Sequence, residues 1–81
     1  MTDNQDTQFI VALGRTIAMH RVRLDLTQGD LSDRSGIPRA SISRFEKAQR
    51  TPDVEQVNAI ASALGLTTSQ LVGAAEQLDL G

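Results

Sequence analysis

The sequence lacks cysteine, tryptophan and tyrosine, and it has one histidine, two prolines and two phenylalanines among its 81 residues. Without cysteine the chain can form neither a disulfide nor a thiolate metal site, and one histidine is too few for a histidine-based zinc site. His20 is therefore expected to be a packing or surface residue. No apolar run approaches the roughly 18 residues of a membrane-spanning helix. We expect no metal, no cofactor and no membrane association.

A strong net charge is also absent, because 8 Lys and Arg residues stand against 10 Asp and Glu residues, for a formal charge of −2. Averaged over the chain, this mild acidity argues against nucleic acid as a partner. The length fits one small domain over residues 1–81, with no room for separate catalytic and regulatory domains. The first residues lack the basic stretch of a secretory signal peptide, so we expect a cytoplasmic protein.

The charges are unevenly distributed along the chain. Residues 15–50 contain all 8 basic side chains and only four acidic ones, for a local charge of +4, and both flanking segments are acidic. Seven of the 8 basic residues are Arg, which is suited to bidentate contacts with phosphate and guanine. An ordinary solvated surface would explain the charges equally well. The motif within this segment is therefore needed to distinguish such a surface from a nucleic-acid-binding site.

The apolar residues recur with helical spacing, and no segment alternates like a strand. This pattern predicts an all-α fold of five short helices around one core. We expect the helices at about residues 7–24, 27–35, 39–47 and 53–65 and from residue 67 onward, with residues 1–6 flexible. Thr27 with Asp30, and Thr67 with Gln70, have the spacing of capping boxes.

One residue of the first helix interrupts its apolar face. Arg21 lies on the same face as Leu13 and Ile17, which indicates a half-buried partner for its charge. Two further helices follow with the spacing of a helix–tight turn–helix unit, over about residues 27–47. Gly36 lies in the turn, and apolar side chains fall where two crossed helices must touch.

From about Leu13 to Leu71 the sequence resembles the Cro/phage-repressor (XRE) type of helix-turn-helix proteins. The resemblance rests on Leu13-Gly14, Ile17, Arg21, Leu26-Thr27-Gln28, Asp30-Leu31, Ser35-Gly36-Ile37, Ser41-Ile42-Ser43, Phe45-Glu46, Thr51-Pro52, Ile60-Ala61, Ala63-Leu64-Gly65-Leu66 and Leu71. It implies a compact lambda-repressor-like DNA-binding domain. The second helix of the motif would enter the major groove of double-stranded DNA, and the first would cross the backbone.

The resemblance also implies roles for individual residues. Arg39, Ala40, Ser43 and Arg44 would contact bases, although both arginines could instead bind phosphate. The implied phosphate contacts are Gln28, Ser41, Lys47, Arg50 and Thr51. For these residues, ordinary exposed helix or loop surface is the alternative.

Arg21 and Glu46 match a family ion pair. In the family this pair fixes the second helix of the motif, called the recognition helix, relative to the first helix of the chain. Asp25 and Ala48 stand where the family usually has glycine. Asp tolerates the left-handed conformation, but Ala pays a steric penalty there. We therefore expect the third helix to continue for a residue or two, which would displace Arg50.

One motif covers too few base pairs for a selective site, and the family solves this by forming two-fold dimers. The candidate interface lies within residues 66–81, and the alternative for these residues is core packing. Its predicted members are Leu66, Leu71, Val72, Ala75 and Leu78.

These features predict a homodimeric, sequence-specific transcriptional regulator, most simply a repressor that occupies a palindromic operator. The alternative is a protein-interaction module or antitoxin of the same fold, acting through a partner protein. No constellation of side chains supports an enzyme, and no small-molecule ligand is evident.

Overall fold

The computed structural model describes residues 3–78, with side chains from residue 7 onward. Within this part the chain forms five α-helices and no strand, which confirms the predicted fold class. The helices are α1 (Asp3–Arg23), α2 (Gln28–Ser35), α3 (Arg39–Glu46), α4 (Val54–Ala63) and α5 (Thr68–Gln77). The predicted interface segment extends beyond the described residues at 79–81, and residues 1–2 of the segment expected to be flexible also lie outside them.

The first helix begins earlier than the sequence pattern predicted. α1 starts at Asp3 rather than near Thr7, because no proline or glycine interrupts the residues before the apolar face. It ends at Arg23, and Asp25 follows with a φ of 59°. The backbone N–H of Leu26 donates to the carbonyl of Arg21 at 3.0 Å and closes the end of the helix.

The starts of α2, α4 and α5 are fixed by side chains that bond to the backbone. Thr27 and Asp30 form a complete capping box at the start of α2, with distances of 2.9 and 3.0 Å. The hydrogen bond from the Thr27 backbone lowers the pKa of the Asp30 carboxyl below its ordinary value. The box therefore contributes stability while Asp30 is ionised, and that stability is lost as the pH falls through the lowered pKa. Equivalent boxes start α4 and α5.

The core lies between α1 and the four shorter helices. α1 packs against α3 and α5, and α2 packs against α3 and α4. The largest fully buried side chains are Phe45, Ile17, Leu31, Ile42, Ile60 and Leu71. Because three of these six come from α2 and α3, the helix-turn-helix unit is part of the core rather than an appendage to it.

Candidate nucleic-acid interface

The turn between α2 and α3 is held by a short series of hydrogen bonds. Gly36 takes a φ of 75°, and its N–H donates to the carbonyl of Ser32 at 2.9 Å. The Ser32 hydroxyl donates to the carbonyl of Ile37, and the Ile37 N–H donates to the Ser35 hydroxyl at 3.2 Å. These bonds, with the core contacts of Leu31 and Ile37, fix the crossing of the two helices.

The outward surface of α3 carries the residues predicted to contact bases. Arg39, Ala40 and Arg44 are exposed, and Ser43 is half-buried. On the inward side of the same helix, Ile42 and Phe45 are almost completely buried. Packing thus fixes the rotation of α3 about its axis, so two arginines and two small side chains face solvent together.

The predicted phosphate contacts are less uniformly placed. Lys47, Arg50 and Thr51 are exposed in the segment after α3, whereas Ser41 is 9% exposed and counts among the buried polar residues. Gln28 is half-buried at the first position of α2. Loop residues and the start of α2 therefore remain open to an anion, and Ser41 has little exposed surface with which to reach one.

The expected extension of α3 is wrong. The helix ends at Glu46, and Ala48 adopts a φ of 58°. The N–H of Ala48 donates to Phe45 at 3.1 Å, and the N–H of Gln49 donates to Arg44 at 2.8 Å. These bonds close the end of the helix in the manner usual for glycine, despite a steric cost to Ala48 of about 1 kcal/mol. Arg50 accordingly lies beyond the helix.

The structure brings Arg21 and Glu46 together across α1 and α3. The Arg21 Nε donates to Glu46 at 2.7 Å and its Nη2 donates at 3.1 Å. Its Nη1 donates to the carbonyl of Leu26 at 2.7 Å. The Arg21 and Glu46 side chains are 15% and 7% exposed. The hydrogen bond to Glu46 raises the pKa of Arg21 above its ordinary value.

A second partner of the Glu46 carboxylate was not predicted. Gln28 Nε2 donates to Glu46 Oε1 at 3.0 Å. The two residues lie 18 positions apart, and sequence spacing alone does not set their rotamers. Glu46 therefore joins side chains from α1, α2 and α3.

Close packing of α1 on the end of α3 depends on Gly14. A Cβ atom at this position would lie 2.4 Å from the Phe45 carbonyl oxygen and 2.9 Å from that of Glu46. Such distances are too short for any side chain. The resemblance placed Gly14 in the family pattern but gave no reason for it; the reason is this backbone approach, just before the carboxylate that binds Arg21.

Two of the five residues predicted to form the dimer surface are buried in the core of the structure. Leu71 and Ala75 are 0% and 1% exposed, because they face the core that α5 shares with α1. They are therefore unavailable to a second chain in this fold. Leu66, Val72 and Leu78 are partly buried at the edge of the core and retain some exposed surface.

An exposed apolar area on α1 was also missed by the sequence analysis. Met19 is 45% exposed and Val22 61% exposed, beside Ala18 and Arg23. Leu24 follows the end of α1 and is 48% exposed.

Among residues 7–78, no group of three or more His, Asp or Glu side chains could hold a metal ion. His20 Nδ1 lies 3.0 Å from the carbonyl oxygen of Thr16, one turn earlier on α1. None of the five described helices is long and apolar enough to span a membrane.

A protein-family model described as helix-turn-helix matches residues 17–71, well over half of the chain. The chain belongs to the XRE-type helix-turn-helix family. It is 41% identical over 49 residues to an uncharacterized HTH-type transcriptional regulator of Methanothermobacter thermautotrophicus, which covers 60% of this chain and 71% of that relative. It is accordingly a transcriptional regulator with a helix-turn-helix DNA-binding domain.

Two solved structures resemble the fold of this family member. The restriction-modification controller protein C.AhdI from Aeromonas hydrophila superposes with a TM-score of 0.74 and 26% identity, covering 76% of this chain and 94% of the controller. The clp gene regulator ClgR from C. glutamicum superposes with a TM-score of 0.78 over 90% of this chain and 96% of ClgR. At 20% identity, the second likeness concerns the fold alone.

Proposed function

We propose that a homodimer of this chain binds a palindromic operator in the major groove and represses transcription by occupying it. The main support for this proposal is the solvent-facing surface of α3. On it, Arg39, Ala40, Ser43 and Arg44 lie opposite the buried side of the same helix. In this proposal the protein acts in the cytoplasm, on the nucleoid, and needs no cofactor or small-molecule ligand.

The chemistry of this surface suits base edges. Arg39 and Arg44 can each donate two hydrogen bonds to O6 and N7 of guanine, and the Ala40 methyl can contact the methyl group of thymine. Around them, Gln28, Lys47, Arg50 and Thr51 would bind backbone phosphates, which set the register of the protein on the duplex. The free N–H groups at the start of α2 add to the phosphate contact of Gln28.

The alternative is a protein-interaction module or antitoxin that keeps the fold and acts through a partner protein. Such a module has no need for cations on the outward surface of α3, and acidic or bulky groups there would serve it better. Arg39 and Arg44 at this surface favour DNA. Selection of DNA duplexes, combined with the Arg39→Ala variant, distinguishes DNA binding from action through a partner protein.

Selection from random duplexes should enrich a palindrome whose affinity falls steeply with salt, because bound phosphates release counterions. We predict that Arg39→Ala relaxes the preference at one base position by about 1–3 kcal/mol. Arg34→Ala is the matched control, since Arg34 is exposed on α2 and carries the same charge. No enriched sequence, together with an unchanged affinity of Arg39→Ala, would reject DNA reading and favour the partner-protein alternative.

Dimerisation is proposed to use the exposed edges of Leu66, Val72 and Leu78. We predict that Val72→Glu shifts the protein to monomer in sedimentation and weakens binding to a full palindrome at least tenfold, because a charge would be buried in the interface. Val54→Glu is the control, since Val54 is 80% exposed. A wild-type protein that stays monomeric both free and on the palindrome would contradict this role.

A further inference from the structure

The Glu46 carboxylate does more than pair with Arg21. It accepts hydrogen bonds from the Arg21 guanidinium and, at 3.0 Å, from the Gln28 amide. The Glu46 side chain is 7% exposed, so water has little access to replace either donor. Three helices thus meet at one nearly buried anion, and one of them contributes the residue proposed to bind phosphate.

The chemistry of this contact fixes which way the Gln28 amide points. An ionised carboxylate only accepts hydrogen bonds, so Gln28 must turn its Nε2 group, and not its oxygen, toward Glu46. That nitrogen carries two hydrogens, and Glu46 uses one of them. The second remains free on a side chain that is half-buried at the first position of α2. A phosphate oxygen also only accepts, so it needs this remaining hydrogen.

We infer that Glu46 is a positioning residue for DNA binding: it holds the Gln28 amide so that its second N–H faces the DNA backbone. This inference rests on the proposed function, because it concerns the phosphate contact of the same interface. Glu46 belongs to α3, the helix proposed to enter the major groove, and Gln28 belongs to α2, the helix proposed to cross the DNA backbone. Their hydrogen bond therefore couples the position of the phosphate contact to the position of the base contacts.

The same arrangement explains how an anion can stand near a phosphate. Alone, the Glu46 carboxylate would repel the DNA backbone. Arg21 donates to both of its oxygens, which offsets the negative charge at close range. Gln28, as a neutral side chain, can therefore bridge from the paired carboxylate to the phosphate without adding a second anion.

A double-mutant comparison tests this role. Gln28→Met keeps the length of the side chain and removes its amide, and we expect it to weaken binding of the selected palindrome about tenfold at fixed salt. Glu46→Met keeps the length of the side chain and removes both acceptor oxygens, so Gln28 loses its partner. In that background we expect the same Gln28→Met change to cost less than threefold. A merely structural Glu46 would leave the tenfold effect unchanged, and that result overturns the inference.

The Gln28 side-chain amide protons provide a second measurement that needs no variant of Glu46. In the free wild-type protein, one of the two protons should resonate downfield of those of exposed Gln77, with Gln28→Met used for assignment. Titration with the selected palindrome should move the other proton downfield. Two Gln28 protons that match Gln77, or a second proton that the palindrome leaves unmoved, would overturn the inference.

The outcomes distinguish a failure of the proposed function from a failure of the positioning role of Glu46. If the selection enriches no duplex, the proposed function fails, whatever the Gln28 protons show. If the palindrome binds and Gln28→Met is tenfold weaker in both backgrounds, only the positioning role fails. If Gln28→Met has no effect in the wild type, the proposed phosphate contact of Gln28 fails together with the positioning role. Circular dichroism of all four proteins identifies a variant that has unfolded, and the proton titration then decides.

Discussion

Glu46→Ala should lower the free energy of unfolding by about 3 kcal/mol or more, the largest effect expected of a single polar substitution here. The substitution removes the anion from Arg21, whose side chain is only 15% exposed, and it removes the acceptor of Gln28. Urea denaturation followed by circular dichroism at pH 7 measures the loss. Binding of the palindrome should weaken as well, because α3 loses the contacts of Glu46 with α1 and α2.

Glu76→Ala is the control for this prediction, since Glu76 is an exposed carboxylate near the end of α5. It should change the stability by no more than about 0.5 kcal/mol. Equal stabilities of the Glu46 and Glu76 variants would mean that the ion pair contributes nothing to the fold.

Gly14→Ala should also be strongly destabilising, although alanine favours a helix by about 1 kcal/mol. The added methyl group would meet two backbone carbonyl oxygens at 2.4 and 2.9 Å, and neither can swing aside like the end of a flexible side chain. The resulting separation of α1 and α3 should cost about 3 kcal/mol or more. The same urea experiment measures it.

Gly73→Ala supplies the matched comparison, because no atom lies within 4 Å of a Cβ at this helical position in α5. It should stabilise the protein by about 0.5–1 kcal/mol. If Gly14→Ala were as stable as Gly73→Ala, α1 and α3 would not be in close contact in solution.

Features governed by neighbouring residues were predictable from the sequence. The Thr27 and Thr67 boxes and the left-handed Gly36 depend on residues within one turn, so the pattern indicated them directly. The Arg on an apolar face indicated a charged partner, because an unpaired cation is costly to bury. The family resemblance then indicated Glu46 as that partner.

Features governed by distant contacts were not predictable in the same way. Ala48 is a local exception: neighbouring hydrogen bonds to Phe45 and Arg44 close the helix, whereas the steric preference of alanine predicted the opposite. Helical spacing could not decide whether Leu71 met the core or a second chain, since both surfaces are apolar. The orientation of Gln28 depends on a rotamer and on the arrangement of three helices, neither of which a linear spacing specifies.

The two ends of α3 are held in different ways. Its C-terminal end is held by Glu46 and by the approach of Gly14, whereas no side chain caps its N-terminal end at Pro38. Arg39 stands seven residues from Glu46, which is about 10 Å along the helix axis. A tilt of about 6° about the Glu46 end would move the start of the helix by about 1 Å over that length. Small packing changes around Glu46 should thus shift Arg39 and alter the proposed base preference, without any change to the residues proposed to contact DNA.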